Sequence, residues 1–204
     1  MSEESFVEWI RGFGLESPLN PGILSFFVTK SLVILRAHDK LLAPLGIRMS
    51  LAELLSADQI IPEMKATERW DAIVELMDLL VARGQIKPAD RDGILASLKQ
   101  REETMSTGIG FGIAIPHCSS ERLDKVVAAF GRSSTGIEFD ALDNAPVKFV
   151  VLFIVPKNQF QTHLRTLASI AKFLNDRSVR DQLANATSAD EIMSIFRARA
   201  QATA

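Results

Sequence analysis

The chain has 204 residues, 47% of them apolar and 24% charged, with 23 basic against 25 acidic side chains and a formal charge of -2. That balance excludes global disorder, and the length allows one well-buried domain with an appendage but not two full enzymatic domains. The near-neutral charge leaves no electrostatic footprint for DNA or RNA, because phosphate contacts need clustered Lys and Arg.

The N-terminus reads Met1-Ser2-Glu3-Glu4, acidic where a secretory signal is basic. Residues 1–48 read as a mainly helical extension with a turn at Pro18-Leu19-Asn20-Pro21-Gly22. Its apolar run from Gly22 to Leu35 is interrupted by Thr29-Lys30-Ser31 and falls short of the ~20 residues that a membrane helix needs. Ile23, Leu24, Phe26, Phe27, Val28, Leu32, Val33, Ile34 and Leu35 cover nearly every helical face, so such a helix must be buried somewhere. Packing on its own domain and homodimerisation are preferred to docking at a membrane, because Lys30, Arg36 and Lys40 form no dense basic face. His38 reads as structural. The single cysteine, Cys118, has no internal disulfide partner, which fits a reducing compartment. The expected location is the cytoplasm, with no membrane insertion.

Pro44 and Gly46 punctuate the chain before Ile47-Arg48-Met49-Ser50, and residues 49–204 read as a compact α/β domain. Trp70, Ile73, Val74, Met77, Leu80 and Val81 recur at helical spacing until Gly84 stops the run. A second helix starts after Pro88 and puts Ile94, Leu98 and Arg101 on one face. The glycine-rich stretch 108–112 leads into a short buried strand, Ile113-Ala114-Ile115-Pro116. Val126–Phe130 and Val147–Val155 are two further strands, the second apolar enough to lie centrally in a sheet covered on both faces. Asp143-Asn144 marks the turn before it. From His163, the residues Leu164, Leu167, Ala168, Ala171 and Leu174 again follow the helical period. Ser188 and Glu191 have the spacing of a capping box opening a last helix, whose core face carries Ile192, Ile195 and Phe196. The expected fold is an α/β sandwich, a mixed β-sheet flanked by helices, with the helical N-terminal extension attached.

The segment Arg101-Glu102-Glu103-Thr104-Met105-Ser106-Thr107-Gly108-Ile109-Gly110-Phe111-Gly112-Ile113-Ala114-Ile115-Pro116-His117 carries the chemistry. A histidine after a strand-ending proline is expected at a sheet edge rather than buried mid-strand. Gly108, Gly110 and Gly112 let backbone N–H groups approach an anion closely. Ser106 and Thr107 add hydroxyls, and Arg101 offers a fixed fork of donors suited to phosphate oxygens. These are parts that phosphoryl transfer requires, since the transferred group needs positioning and charge neutralisation more than covalent help. A neutral imidazole nitrogen is a competent nucleophile near pH 7. The glycine run is neither G-x-G-x-x-G nor a Walker loop.

This run resembles the active-site signature of the fructose/mannitol enzyme IIA family of the phosphotransferase system. Phe139-Asp140-Ala141-Leu142-Asp143-Asn144-Ala145-Pro146-Val147 and Thr162-His163-Leu164-Arg165-Thr166-Leu167 are similar to its nitrogen-regulatory branch, and the likeness spans about residues 49–197. The resemblance implies a phosphocarrier. His117 would take phosphate from phospho-HPr and pass it to a IIB component or use it as a regulatory signal. His163 would sit across the pocket and bond the phosphoryl group or the imidazole. Arg101 would neutralise the incoming charge, with Thr107 as a nearby hydroxyl contact beside Ser106 and Gly108. No cofactor is implied, because the phosphate arrives covalently.

The family usually has glycine after the active histidine, where this chain has Cys118. A neutral substitution is preferred to a redox switch, because a lone Cys is usually inert. No metal is expected: His117, Cys118 and His163 make a poor zinc set, since adjacent residues after a strand rarely chelate one ion. A Cys118–His163 thiol nucleophile would leave Arg101 and the glycines unexplained. Glu102 and Glu103 read as a solvated helix edge. The alternatives to a regulatory phosphocarrier are a non-catalytic interaction module and the IIA component of a sugar permease.

Overall fold

The computed structural model describes residues 50–202, with side chains for all of these except 160–165 and 200–202. The expected helical extension and its dimerisation lie outside the described residues.

The elements run α1 (Leu51–Leu54), a 3-10 turn (Ala57–Gln59), β1 (Ile60–Ile61), α2 (Arg69–Ala82), α3 (Pro88–Thr104), β2 (Gly108–Gly110), β3 (Ile113–Ala114), β4 (His117–Ser120), β5 (Val127–Ile137), β6 (Val147–Pro156), α4 (Phe160–Asn175), α5 (Arg177–Asn185) and α6 (Ala189–Ala202). The sheet order is β1-β5-β6-β3-β2, with β4 also paired to β6. β5–β6 and β2–β3 are antiparallel, whereas β1–β5, β3–β6 and β4–β6 are parallel. The sheet is therefore mixed, as expected, and β6 is its centre. All of β6 except Lys148 is buried, because helices cover both faces.

On one face α2 and α3 pack Ile73, Leu76, Met77, Leu80, Ile94 and Leu98 against Ala129, Val150, Leu152 and Ile154. Each fully buried Leu or Ile there contributes about 1.5–3 kcal/mol. Trp70, Val74 and Val81 are only partly buried, so the buried stripe of α2 is rotated toward Ala72 and Leu76. Gly84, at φ 67°, ends that turn in the left-handed region where glycine costs least. On the other face Phe130 of β5 meets Phe196 of α6 edge-on at 5.2 Å, and Phe173 of α4 meets Phe196 at 5.6 Å. In α4, Leu167, Ile170 and Leu174 are buried while Ala168 is exposed. In α6, Ile192 and Phe196 are buried with Met193, whereas Ile195 is half-buried.

Four local expectations are corrected. The stretch 113–116 is no single strand. Pro116, which has no N–H to give a ladder, separates β3 from β4, and both halves lie along β6. The strand expected over Val126–Phe130 continues through polar residues to Ile137, with Gly131 at a point where any Cβ would run into the Met64 sulfur. The glycine stretch itself pairs, as β2 of a tight hairpin with β3. At α6, Ser188 Oγ accepts from the Glu191 N–H at 3.2 Å, but the Glu191 carboxylate accepts from the Thr187 N–H at 2.7 Å instead of from Ser188.

Candidate functional site

Arg101 stands in the last turn of α3, where a cation complements the negative helix end. The chain leaves the helix at Met105, forms the β2–β3 hairpin and returns at His117, the first residue of β4. His117 pairs in register with Phe153 of β6 and Cys118 with Ile154. Side chains alternate along a strand. Cys118 points into the cluster under α2 and α3, and His117 points to the other face. His117 does begin a strand at the sheet's edge, yet its side chain is only 4% exposed, so the expectation of an unburied edge position is corrected.

Both ring nitrogens of His117 have defined partners. Nδ1 lies 2.6 Å from the Ile115 carbonyl, which accepts only, so the proton is on Nδ1. Nε2 therefore carries the lone pair and accepts from Arg101 Nε–H at 3.3 Å. Arg101 Nη1 also donates to the Met105 carbonyl at 2.9 Å, which clamps the guanidinium against the loop it precedes. Burial lowers the Arg101 pKa, with the neighbouring Glu102 charge opposing.

Glu102 corrects another expectation. Glu103 is exposed, but Glu102 is buried at 5% exposure. Its Oε1 accepts from the Thr107 N–H at 2.9 Å and its Oε2 from the Thr107 hydroxyl at 2.7 Å. Arg69 Nη1 lies 3.9 Å from Glu102 and 3.2 Å from Asp140. Burial raises the Glu102 pKa, against the lowering pull of the Thr107 bonds and the two arginines. Glu102 extends the i, i+4 stripe of Ile94 and Leu98, and that spacing is the signal that would have placed it inside.

The hydroxyls and glycines of the motif are also committed within the loop. Ser106 Oγ donates to the Phe139 carbonyl at 2.8 Å and accepts from the Gly108 N–H at 3.2 Å. A Cβ on Gly108 would lie 2.8 Å from the Ala141 Cα, so this glycine lets the 139–144 loop close onto the hairpin. Gly110 (φ 91°) and Gly112 (φ 75°) make the hairpin turn around Phe111, whose N–H donates to Asp143 Oδ2 at 2.7 Å. The glycines thus serve a close backbone packing in this structure.

His163 occupies the first turn of α4, and its side chain lies outside the described residues. Cys118 is 6% exposed, and burial pushes its thiol up to about 12, which makes it a poor nucleophile. Among the described residues no group of three or more His, Cys, Asp or Glu is placed to hold a metal, and no helix is long and apolar enough to cross a membrane. A cavity of about 460 Å³, lined by residues that include Gln59, Gln85, Asp124, Lys125 and Gln159, contains none of the site candidates.

Comparison with known proteins bears directly on this arrangement. The model of the family described as "Phosphoenolpyruvate-dependent sugar phosphotransferase system, EIIA 2" matches residues 53–198. A fructose-specific EIIA component of Haloferax volcanii is 38% identical over 125 residues, 61% of this chain and 80% of that protein. A nitrogen regulatory protein of Bradyrhizobium diazoefficiens is 30% identical over 148 residues, 72% of this chain and 95% of its own length. The crystal structure of nitrogen regulatory protein IIA-Ntr from Neisseria meningitidis superposes with a TM-score of 0.65 at 30% identity, covering 72% of this chain and 98% of that one. A complex of enzyme IIAMTL with phosphorylated enzyme IIBMTL from Escherichia coli matches with a TM-score of 0.60 at 26% identity, over 71% of this chain and 98% of that one. The chain therefore belongs to the EIIA 2 family of the phosphoenolpyruvate-dependent sugar phosphotransferase system, and by that membership is a phosphotransferase component carrying phosphohistidine.

Proposed function

We propose that His117 is the phosphoryl carrier and that the group is bound on Nε2. The observation that carries this reading is the division of labour on the ring: Nδ1–H is given to the Ile115 carbonyl, and the lone pair of Nε2 faces Arg101. In an in-line transfer the N–P bond of a donor phosphohistidine breaks and its electron pair stays with the donor imidazole, while the Nε2 lone pair forms the new N–P bond. No proton has to leave His117 first. As the phosphoryl group arrives, the Arg101 donors exchange the Nε2 lone pair for phosphoryl oxygens, which supplies charge neutralisation without moving the helix.

His163, one turn into α4, is assigned as a second imidazole contact to the phosphoryl group or to His117. Ser106, Thr107 and Gly108 would reach the phosphate only by giving up bonds they hold in the loop, so their nearer role is to shape it. The donor is phospho-HPr in the cytoplasm. For the onward step we favour regulation, in which the state of His117 selects the protein bound. Relatives named nitrogen regulatory protein and relatives named fructose-specific component both reach 72% of this chain, so the preference rests on the likeness of residues 139–147 and 162–167 to the nitrogen-regulatory branch. For residues 1–48, whose sequence holds the apolar run Gly22–Leu35, we propose packing or homodimerisation.

Intact-mass spectrometry after incubation with enzyme I, HPr and phosphoenolpyruvate tests the reading. One acid-labile phosphoryl group on the wild type and none on His117→Ala is the expected result. No gain beside a demonstrably phosphorylated HPr would overturn it in favour of an interaction module. Adding IIB domains then separates the two branches: fast discharge to a sugar-permease IIB favours transport, and retention of the phosphate favours regulation.

A further inference from the structure

Glu102 breaks two local rules at once. A carboxylate in the last turn of a helix opposes the helix dipole, and a buried one also loses its hydration. Both costs are accepted at a residue that the transfer described above does not use. Where a chain violates a local rule, function is the first place to look for the compensation.

The hydrogen bonds around Glu102 form a closed circuit. Its carboxylate takes the N–H and the hydroxyl of Thr107. The Thr107 carbonyl accepts from the Ile115 N–H at 3.0 Å. The Ile115 carbonyl takes Nδ1–H of His117, and Nε2 of His117 takes Nε–H of Arg101, the residue covalently joined to Glu102. A second arm returns from Arg101 Nη1 to the Met105 carbonyl, two residues before Thr107. Thr107 and Ile115 each use the N–H of one peptide and the carbonyl of the next, so the circuit works as a mechanical frame that fixes their backbone, with the buried carboxylate as its anchor. Arg69, reaching from α2, and Asp140 beyond it tie the carboxylate to a second element.

We propose that Glu102 is a positioning residue for the phosphocarrier histidine: by anchoring Thr107, and through it the backbone of Ile115, it holds the Ile115 carbonyl against Nδ1–H of His117, and through the 105–107 loop it holds Arg101 at Nε2. Glu102 touches neither the imidazole nor an incoming phosphoryl group. Its effect is positional: it fixes where the Ile115 carbonyl meets the Nδ1 proton and where the Met105 carbonyl meets Nη1. The inference rests on His117 being the acceptor, and its test is chosen to be read separately from that reading.

The test is ¹⁵N-histidine NMR of the unphosphorylated protein, with His117 assigned by its loss in His117→Ala, beside steady-state transfer from phospho-HPr. The wild type is expected to show one neutral tautomer, protonated on Nδ1. Glu102→Ala strands the Thr107 N–H, and the ring is expected to populate both tautomers while kcat falls on the order of 100-fold with the donor KM little changed. Glu102→Gln keeps one acceptor for the Thr107 N–H, and the hydroxyl turns to accept from the amide. It is expected to restore the tautomer and most of the rate. A folded Glu102→Ala protein with wild-type tautomer and rate would overturn the proposal. If that variant does not fold, Thr107→Val, which removes only the hydroxyl arm, must shift the tautomer in the same direction to a smaller extent, and an unchanged ring would equally overturn it. Should the wild type take no phosphate, the carrier reading fails, while the tautomer comparison still reads the circuit.

Discussion

Nε of Arg101 donates to Nε2 of His117 at 3.3 Å while its Nη1 holds the Met105 carbonyl at 2.9 Å, so one side chain faces the nucleophile and the loop beside it together. A lysine offers one point charge and cannot keep that fork. Arg101→Lys is therefore expected to lower kcat for transfer from phospho-HPr on the order of 100-fold, with a circular dichroism spectrum like that of the wild type. Wild-type kcat in this variant would remove Arg101 from the transfer.

Cys118 sits beside His117 in sequence but on the opposite face of β4. Burial pushes its thiol up to about 12, which leaves roughly one thiol in ten thousand ionised at pH 8. Iodoacetamide is expected to label it at pH 8 more than about a hundredfold faster in urea than in the native protein. Cys118→Ala is expected to retain the transfer rate. Rapid native labelling that also stops transfer would restore the redox reading.

Much of this was legible from residues alone. The helices α2 and α3 and the central strand β6 announce themselves because their partners are periodic neighbours in sequence. His117 and Arg101 stand out because their chemistry is dense over one short segment. What was not legible depends on distant residues. The glycines looked like an anion cradle, yet their neighbours are Ala141 and Asp143, more than thirty positions along the chain. Glu102 looked solvated because the residue that reaches it from α2, Arg69, lies on another helix. β5 ran past its expected end because pairing with β6 continues to Arg132 and resumes at Ile137, while the polar stretch between them is carried as an irregularity whose Ser134 N–H is accepted by the distant Glu63.

The packing of Gly108 gives a stability prediction. A methyl group there would meet the Ala141 backbone at 2.8 Å, and that backbone has no flexible end to yield. Gly108→Ala is expected to destabilise the protein by about 1–3 kcal/mol in urea denaturation. A neutral effect would show that the 139–144 loop moves freely away from the hairpin.

Glu102 gives a pH dependence with a defined sign. Burial raises its pKa in the folded protein above the unfolded value, so the folded state binds the proton more tightly. The stability this group contributes is complete below the unfolded value, about 4.3, and is lost as pH rises through the folded value. Glu102→Gln does not titrate and escapes that loss. The stability of Glu102→Gln relative to wild type is therefore expected to increase between pH 4 and pH 7 (by urea midpoints at each pH). A relative stability that falls over this range would show that Thr107 and the arginines more than offset the burial.

The central claim is that Nε2 of His117 carries the phosphate, and the most direct measurement is ³¹P–¹⁵N NMR of the phosphorylated protein labelled with ¹⁵N-histidine. A single phosphorus signal coupled to Nε2 of His117, with Nδ1 still protonated toward Ile115, is the predicted result. Coupling to Nδ1, or to a histidine other than His117, would contradict it.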